Sequence, residues 1–435
     1  MIDIVDYPKD EINVRPLSRL SVRDHLIFDA LSFSAAPLID QSLSSSVYSY
    51  RWSFRRSTLN PPIESWRRMR RRGYSELENK STRLAITDAT SFYEHVDVET
   101  LADDLEALGL SYSKVKQISI FLDCFRSTNQ AWGIPQGPDG SGVLANLYLA
   151  PVDEQLRQLG LRFVRYSDDI NIFGQDWEVL RSALLAVNSI FRTRRLSLSA
   201  PKTQILENTE ALSYYDDSEK NAINYGIYSR DRRPTPDLHR YFDTVIGSER
   251  PSARDLKFAL NRLAMTKDDY GIHWVQRNLK SFAHCAKECF GYLSNFPAHQ
   301  STTSKVVANL LAEHSLRDYP HLQQRLLRYV LKENVIDFQI LEASWEILKD
   351  RNCQTFPREF AARYIGRFGD YVNGPLLKAA YETEEDTRIK RALMIAMYES
   401  GYQSSRLILA AGNTSPNLRH VSRYLLSSPS IPLPA

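Results

Sequence analysis

Carboxylates set into apolar runs are the first candidates for chemistry in this chain. Asp168 and Asp169 interrupt FVRYSDDINIF, residues 163–173, and Asp88 ends the short apolar run in LAITDA, residues 84–89. Buried charge is costly unless it is paired or binds a cation. Mg²⁺ favours a few carboxylates plus substrate phosphates, and two ions about 4 Å apart can hold the attacking and leaving oxygens of an in-line displacement. Joining a nucleotide to a 3′-hydroxyl asks for aspartates of this kind, gathered from separate strands. A tight hairpin with Asp168 and Asp169 at its tip, beside the strand ending at Asp88, would supply them. A second stretch, SYYDDSEKN at 213–221, has nearly the same letters but no apolar run on its far side. Asp216 and Asp217 therefore read as a solvated turn.

The elements around these residues follow from periodicity. LAITDA and FVRYSDDINIF read as strands, and SGVLANLYLAPVDEQLRQL, residues 141–159, reads as a helix with Val143, Leu144, Leu147 and Leu156 on one face. Pro234 and Pro236 mark a boundary. Beyond it no convincing strand occurs, and amphipathic stretches such as FQILEASWEILKD and EDTRIKRALMIAMYES recur between short polar turns. Helix pairs at this spacing point to a HEAT-like solenoid, with a plain helical bundle as the alternative.

At 435 residues and 43% hydrophobic content the chain suits two or three soluble domains. No run approaches the roughly 18 apolar residues of a membrane span, and MIDIVDYPKDE lacks the layout of a secretory signal. Four cysteines make no disulfide framework, which fits the cytoplasm. His284, Cys285 and Cys289 are spaced as one turn of a buried helix rather than as a zinc site. Net charge is only +3, but Arg67, Arg68, Arg70, Arg71 and Arg72 cluster between Trp66 and Tyr74. Cations interleaved with aromatics suit phosphate contact and base stacking, so nucleic acid is the expected partner.

Three ordered motifs then resemble reverse transcriptases, specifically the bacterial ones. Asp88 with Phe92 and Tyr93 is similar to the family's D-x-x-x-F-[FY]. The stretch from Gly133 through Gln136, Gly137 and Ser141 to Asn146 is similar to GLPQGxxxSxxLAN, and Tyr166 to Asp169 to YxDD. SLSAPKTQIL, with Lys202, resembles the segment whose lysine approaches the triphosphate. PKDEINVRPLSRLSVRD resembles the fingers segment of group II intron enzymes, with Ile12 in place of a glycine, Leu20 of a proline and His25 of an arginine.

The resemblance implies an α+β right-hand polymerase: fingers over 1–83 with an inserted basic segment, palm over 84–233, a helical thumb-like region over 234–300 and a HEAT-like domain over 301–435. It implies that Asp88, Asp168 and Asp169 hold two Mg²⁺ ions, for which Mn²⁺ can stand in. Lys202 is expected to protonate pyrophosphate, and Lys9 and Arg15 to contact the incoming triphosphate. Tyr93 is expected under the sugar, excluding a 2′-hydroxyl, with Gln136 and Gly137 supporting the nucleotide. No integrase, RNase H, protease or HNH segment follows, and the retron thumb's VTG triplet is missing. A palm joined to helices resembles the abortive-infection and unknown-group defence enzymes, including the class 2 type that copies a companion noncoding RNA into cDNA from dNTPs. Two other readings compete. One is a template-independent, protein-primed polymerase; the other is an inactive RNA-binding module, against which the three intact aspartates weigh.

Overall fold

The computed structural model describes residues 2–128, 130–229, 236–402, 405–427 and 430–433. Its strands are β1 (Ile2–Pro8), β2 (Val14–Leu20), β3 (Trp52–Ser53), β4 (Thr58–Leu59), β5 (Arg83–Thr87), β6 (Arg162–Tyr166), β7 (Asp169–Gly174) and β8 (Gln204–Glu207). Helices of the same region are α1 (Val22–Ser42), α2 (Pro62–Asn79), α3 (Phe92–His95), α4 (Val98–Ala107), α5 (Tyr112–Arg126), α6 (Asp139–Tyr148), α7 (Ala150–Gln158), α8 (Trp177–Thr193) and α9 (Asn208–Tyr215). The chain forms two compact units: one holds the residues up to Val5 with Pro16–Glu219, the other Asp6–Arg15 with Lys220 onward. The boundary expected at Pro234 lies outside the described residues.

The first unit is α+β, built on a four-stranded sheet in the order β6-β7-β5-β8 with every pairing antiparallel. Side chains alternate across a strand, so each strand feeds both faces. Leu84, Ile86, Val164 and Phe173 meet Met69 of α2 with Ala211 and Tyr215 of α9. Ala85, Phe163, Ile170 and Ile172 meet residues such as Phe28, Leu144, Val152 and Leu180 from α1, α6, α7 and α8. Cover on both faces explains why these strands read as nearly continuous apolar runs.

One element departs from the sequence pattern. The helix expected over 141–159 is two helices, α6 and α7, meeting at Leu149. Pro151 has no N–H to continue the ladder of α6, yet it suits the first turn of a new helix.

In the second unit the described residues after Lys220 contain helices and no strand. Helices Ala253–Met265, Ala286–Leu293, Pro320–Lys332, Thr355–Phe368, Thr387–Glu399 and Pro416–Leu426 pack each on the next in that series, and the helices between them pack alongside. Serial packing of this kind lets each helix pair bury its apolar face on its neighbours. His284, Cys285 and Cys289 are buried there, and burial pushes the Cys285 thiol up to about 11. The Asp6–Arg15 segment packs on this unit through Tyr7, whose ring lies 4.6 Å from that of His321, and through Asp6, which accepts from Gln354 Nε2 at 2.8 Å.

Candidate active site

Strands β6 and β7 pair from Arg162↔Phe173 to Tyr166↔Asp169, so Ser167 and Asp168 form a two-residue turn. Ser167 takes the left-handed conformation, φ 57°, which lets so tight a turn close. Its backbone is fixed from both sides: its N–H donates to Ser49 Oγ at 2.7 Å, and its carbonyl accepts from Arg165 Nη1 at 2.9 Å. Next to this turn, β5 pairs with β7 up to Thr87↔Ile170. One further step along that ladder sets Asp88 opposite Asp169.

The turn rests on a buried ionic network. Arg165 is 0% exposed. Its Nε and Nη2 donate to the two oxygens of Asp153 at 2.7 and 2.6 Å, and its Nη1 also donates to Asn146 Oδ1 at 2.9 Å. Asn146 Nδ2 in turn donates to the Ser49 carbonyl at 2.8 Å. A bidentate pair with further hydrogen bonds is the form in which a buried charge is tolerated. Asn146 belongs to a motif already singled out; Arg165 and Asp153 do not.

Asp88 is buried, 4% exposed. Its Oδ2 accepts from Lys202 Nζ, while its Oδ1 has no hydrogen-bond partner. Lys202 stands on a short 3₁₀ turn, Ala200–Lys202, held to the end of β5 because Ser199 N–H donates to the Asp88 carbonyl at 2.9 Å. Removal from water pushes the Asp168 carboxyl above its usual range, and the Asp88 charge adds to this against the pull of Lys202. Desolvation disfavours charge on Lys202, but the hydrogen bond and charge of Asp88, with the charges of Asp169 and Asp168, outweigh it and raise its pKa. Three carboxylates thus share one ammonium. Among the described residues no three His, Cys, Asp or Glu side chains close into a metal-binding group. The donor chemistry nonetheless fits a hard divalent cation: oxygens only, an excess of negative charge, and an orphaned carboxylate oxygen under cover.

The loop before α6 is fastened to the same place. Gly133 has φ 57°, and a Cβ there would lie 2.1 Å from the Tyr93 carbonyl oxygen, so no other residue fits. Ile134 N–H donates to that carbonyl at 3.0 Å. Gln136 is held at its backbone by Ser18, which donates its N–H to the Gln136 carbonyl at 2.8 Å and accepts from the Gln136 N–H at 3.0 Å. Gly137 is exposed with φ 129°. Tyr93 is half-buried with its hydroxyl 3.4 Å from Ser167 Oγ, and burial raises its phenol pKa. Asp88, Tyr93, Asp168, Asp169 and Lys202 are thereby brought together, with Gln136 and Gly137 on the adjoining loop.

The other expected residues stand on other elements. Lys9 and Arg15 are exposed in the hairpin segment that belongs to the second unit; their expected contact with a triphosphate rests on the sequence resemblance. Of the arginine cluster on α2, Arg67, Arg68, Arg71 and Arg72 are exposed, Arg72 pairing with the buried Glu76 at 2.7 Å. Arg70 departs from the expected nucleic-acid surface. It is 7% exposed, donates to the Tyr214 carbonyl at 2.7 Å, pairs with Asp217 at 3.3 Å and lies 4.7 Å from the centre of the Tyr215 ring. Trp66 also turns inward, edge-on to Tyr166 at 5.1 Å. Asp216 is exposed and accepts from Ser218 N–H at 2.7 Å, the behaviour of a turn residue.

Residues 7–225, half of the chain, match the family described as reverse transcriptase (RNA-dependent DNA polymerase). Similar solved structures include telomerase from Candida albicans in complex with a TWJ fragment of telomeric RNA, at 13% identity over 70% of this chain and 54% of that one, TM-score 0.31. Another is apo telomerase from Candida tropicalis, at 11% identity over 90% of this chain and 68% of that one, TM-score 0.36. The chain thus spans about half the length of the Candida albicans telomerase chain. No curated protein sequence matches it.

Proposed function

The chain belongs to the reverse transcriptase family, and from that premise we propose that it is an RNA-directed DNA polymerase that copies an associated noncoding RNA into cDNA in bacterial antiviral defence. The observation that carries the polymerase reading is the register of the sheet, which sets Asp88 one step beyond Thr87↔Ile170 and beside the turn bearing Asp168 and Asp169. Asp88, Asp168 and Asp169 would hold divalent cations, Mg²⁺ or Mn²⁺, whose chemistry is to stabilise the charge that develops on the reacting oxygens. Lys202 holds a proton at Nζ over the Asp88 carboxylate, and its raised pKa keeps it charged through neutral pH. A charged ammonium there suits pairing with a phosphate and donating to a departing one. Tyr93, fixed by Gly133 behind it and Ser167 beside it, offers a wall against the 2′-hydroxyl of a ribonucleotide. The exposed arginines Arg67, Arg68, Arg71 and Arg72 suit RNA phosphates.

The defence role and the companion RNA are supported by the sequence likeness and by a palm-like unit followed by serial helix pairs. The test is to isolate the protein from its host, sequence the bound RNA, and assay divalent-cation-dependent dNTP incorporation with Asp168→Ala as control. A cDNA complementary to the bound RNA is the expected product. A homopolymer or random product attached covalently to the protein would assign the template-independent, protein-primed reading instead.

A further inference from the structure

The helical unit carries a basic hollow that none of the polymerase chemistry uses. A cavity of about 230 Å³ opens between helices Ala286–Leu293 and Pro320–Lys332. Lys287 lines it from the first helix; Arg325, Arg328 and Lys332 line it from the second, where spacings of three and four residues put them on one face. Lys287, Arg328 and Lys332 are exposed and Arg325 is half-buried. Among the described residues no carboxylate ion-pairs with Lys287, Arg325 or Arg328. Lys332 has Glu333 at 3.6 Å, and that carboxylate also accepts from Ser294 Oγ at 2.8 Å. Arg325 Nε donates to His321 Nε2 at 3.4 Å, an uncharged imidazole whose pKa burial pushes down to about 4.

Two further features make this a site rather than a charged face. Its floor is aromatic, Phe290 and Tyr329 lying buried with ring centres 5.1 Å apart. Its wall is cut back at Gly291, where an added Cβ would meet nothing within 4 Å. Glycine is among the least favoured residues inside a helix. Four cations outnumber the two carboxylates that act on them, Glu333 beside Lys332 and Glu288 toward Arg325, and a polyanion relieves the remaining repulsion around the concave wall. Side chains three and four residues apart along a helix stand about 5–6 Å from one another at Cβ, a row that can follow successive phosphates of a strand.

We infer that this hollow binds the phosphodiester backbone of an RNA strand on the helical unit. The identity of the strand rests on the reading of the chain as an RNA-copying polymerase; phosphate recognition comes from the hollow itself. Gly291→Glu is the decisive variant, since it adds a carboxylate at a lining position where the new Cβ has open space, and favours the helix. Binding of a fluorescent single-stranded RNA of mixed sequence to the full chain is titrated at several salt concentrations. Gly291→Glu and Arg328→Glu should each weaken binding about tenfold or more at low salt, and should flatten the dependence of log affinity on log salt by about 0.7 for each phosphate lost. Lys305→Glu, an exposed charge change on the helix Gln300–Ala312, should leave both unchanged. Gly291→Glu binding within twofold of the parent overturns the site, as does equal weakening by Lys305→Glu. Displacement of the RNA by millimolar inorganic phosphate at constant ionic strength also overturns it, reassigning the hollow to a small anion. Cation-dependent dNTP incorporation by the parent protein is scored separately, so loss of the hollow and loss of the polymerase reading are distinguished.

Discussion

Two stretches of this molecule spell nearly the same word and do opposite work. In the first, Tyr166 to Asp169 closes a hairpin whose strands are buried on both faces, and the Asp168 carboxyl lies where removal from water and the charge of Asp88 raise its free energy. In the second, Tyr214 to Asp217 ends α9, with Asp216 closing a turn and Asp217 neutralised by Arg70. Asp168 is held under electrostatic tension; Asp217 is relieved of it. The lesson is that adjacent aspartates take their meaning from what flanks and faces them. A carboxylate kept costly is available to a cation, whereas one already paired serves the fold.

That contrast can be broken most sharply by activity. Asp168→Ala should lower dNTP incorporation by about 10³-fold or more, the scale expected when charge stabilisation is removed from a transition state. Asp216→Ala and Asp217→Ala should stay within a few-fold of the parent, and a loss at either position comparable to that at Asp168 would erase the distinction. Next in size is the support beneath the turn that bears Asp168. Arg165→Met leaves Asp153 buried without its partner and should cost about 3–5 kcal/mol in urea unfolding. Arg165→Met combined with Asp153→Leu should recover much of that stability, while activity stays low because Ser167 has lost its tie.

On the other side of the sheet, Gly73→Ala should cost about 1–3 kcal/mol by overpacking, because a Cβ there would lie 2.3 Å from the Tyr215 ring. The smallest effects carry the clearest signs. A carboxyl with a raised folded pKa gives stability that is full below its unfolded pKa, about 3.9, and lost as pH rises through the folded value. Asp168→Asn should therefore raise Tm at neutral pH, with the gain vanishing near pH 3. Asp217→Asn should lower Tm through loss of a half-covered pair worth about 0.2–1 kcal/mol. Equal signs at the two positions would contradict the account of tension and relief.

How much of this was legible beforehand follows from the same physics. Apolar flanks on both sides of Asp168 and Asp169 are a statement about burial, so the hairpin and its neighbour at Asp88 could be read directly, as could the α+β class. Arg165 carries a signal of its own: an arginine between Val164 and Tyr166, in a strand covered on both faces, cannot reach water and must have a carboxylate. Asp153, next to Val152 on the inner side of α7, was the available partner. Arg70 is hidden in the sequence as one of five arginines in a single run. Helical spacing sets Arg70 with Met69, Gly73 and Leu77 on the inner face of α2, and Arg67, Arg68 and Arg71 outside it. The break at Leu149 was written in Pro151, and an apolar face continuing to Leu156 concealed it. In the helical unit the amphipathic stretches were plain, but the serial packing depends on pairings between diverged repeats that no single repeat encodes.

Gly73 has one more consequence. By making room for Tyr215 it lets that ring lie under the Arg70 guanidinium while the Tyr215 hydroxyl accepts from Asn171 Nδ2 at 2.7 Å. Asn171 sits on β7, two residues beyond Asp169. The helix that carries the exposed arginines and the strand that leaves the turn at Asp169 are therefore joined through Arg70, Tyr215 and Asn171, so packing at Gly73 is felt at both.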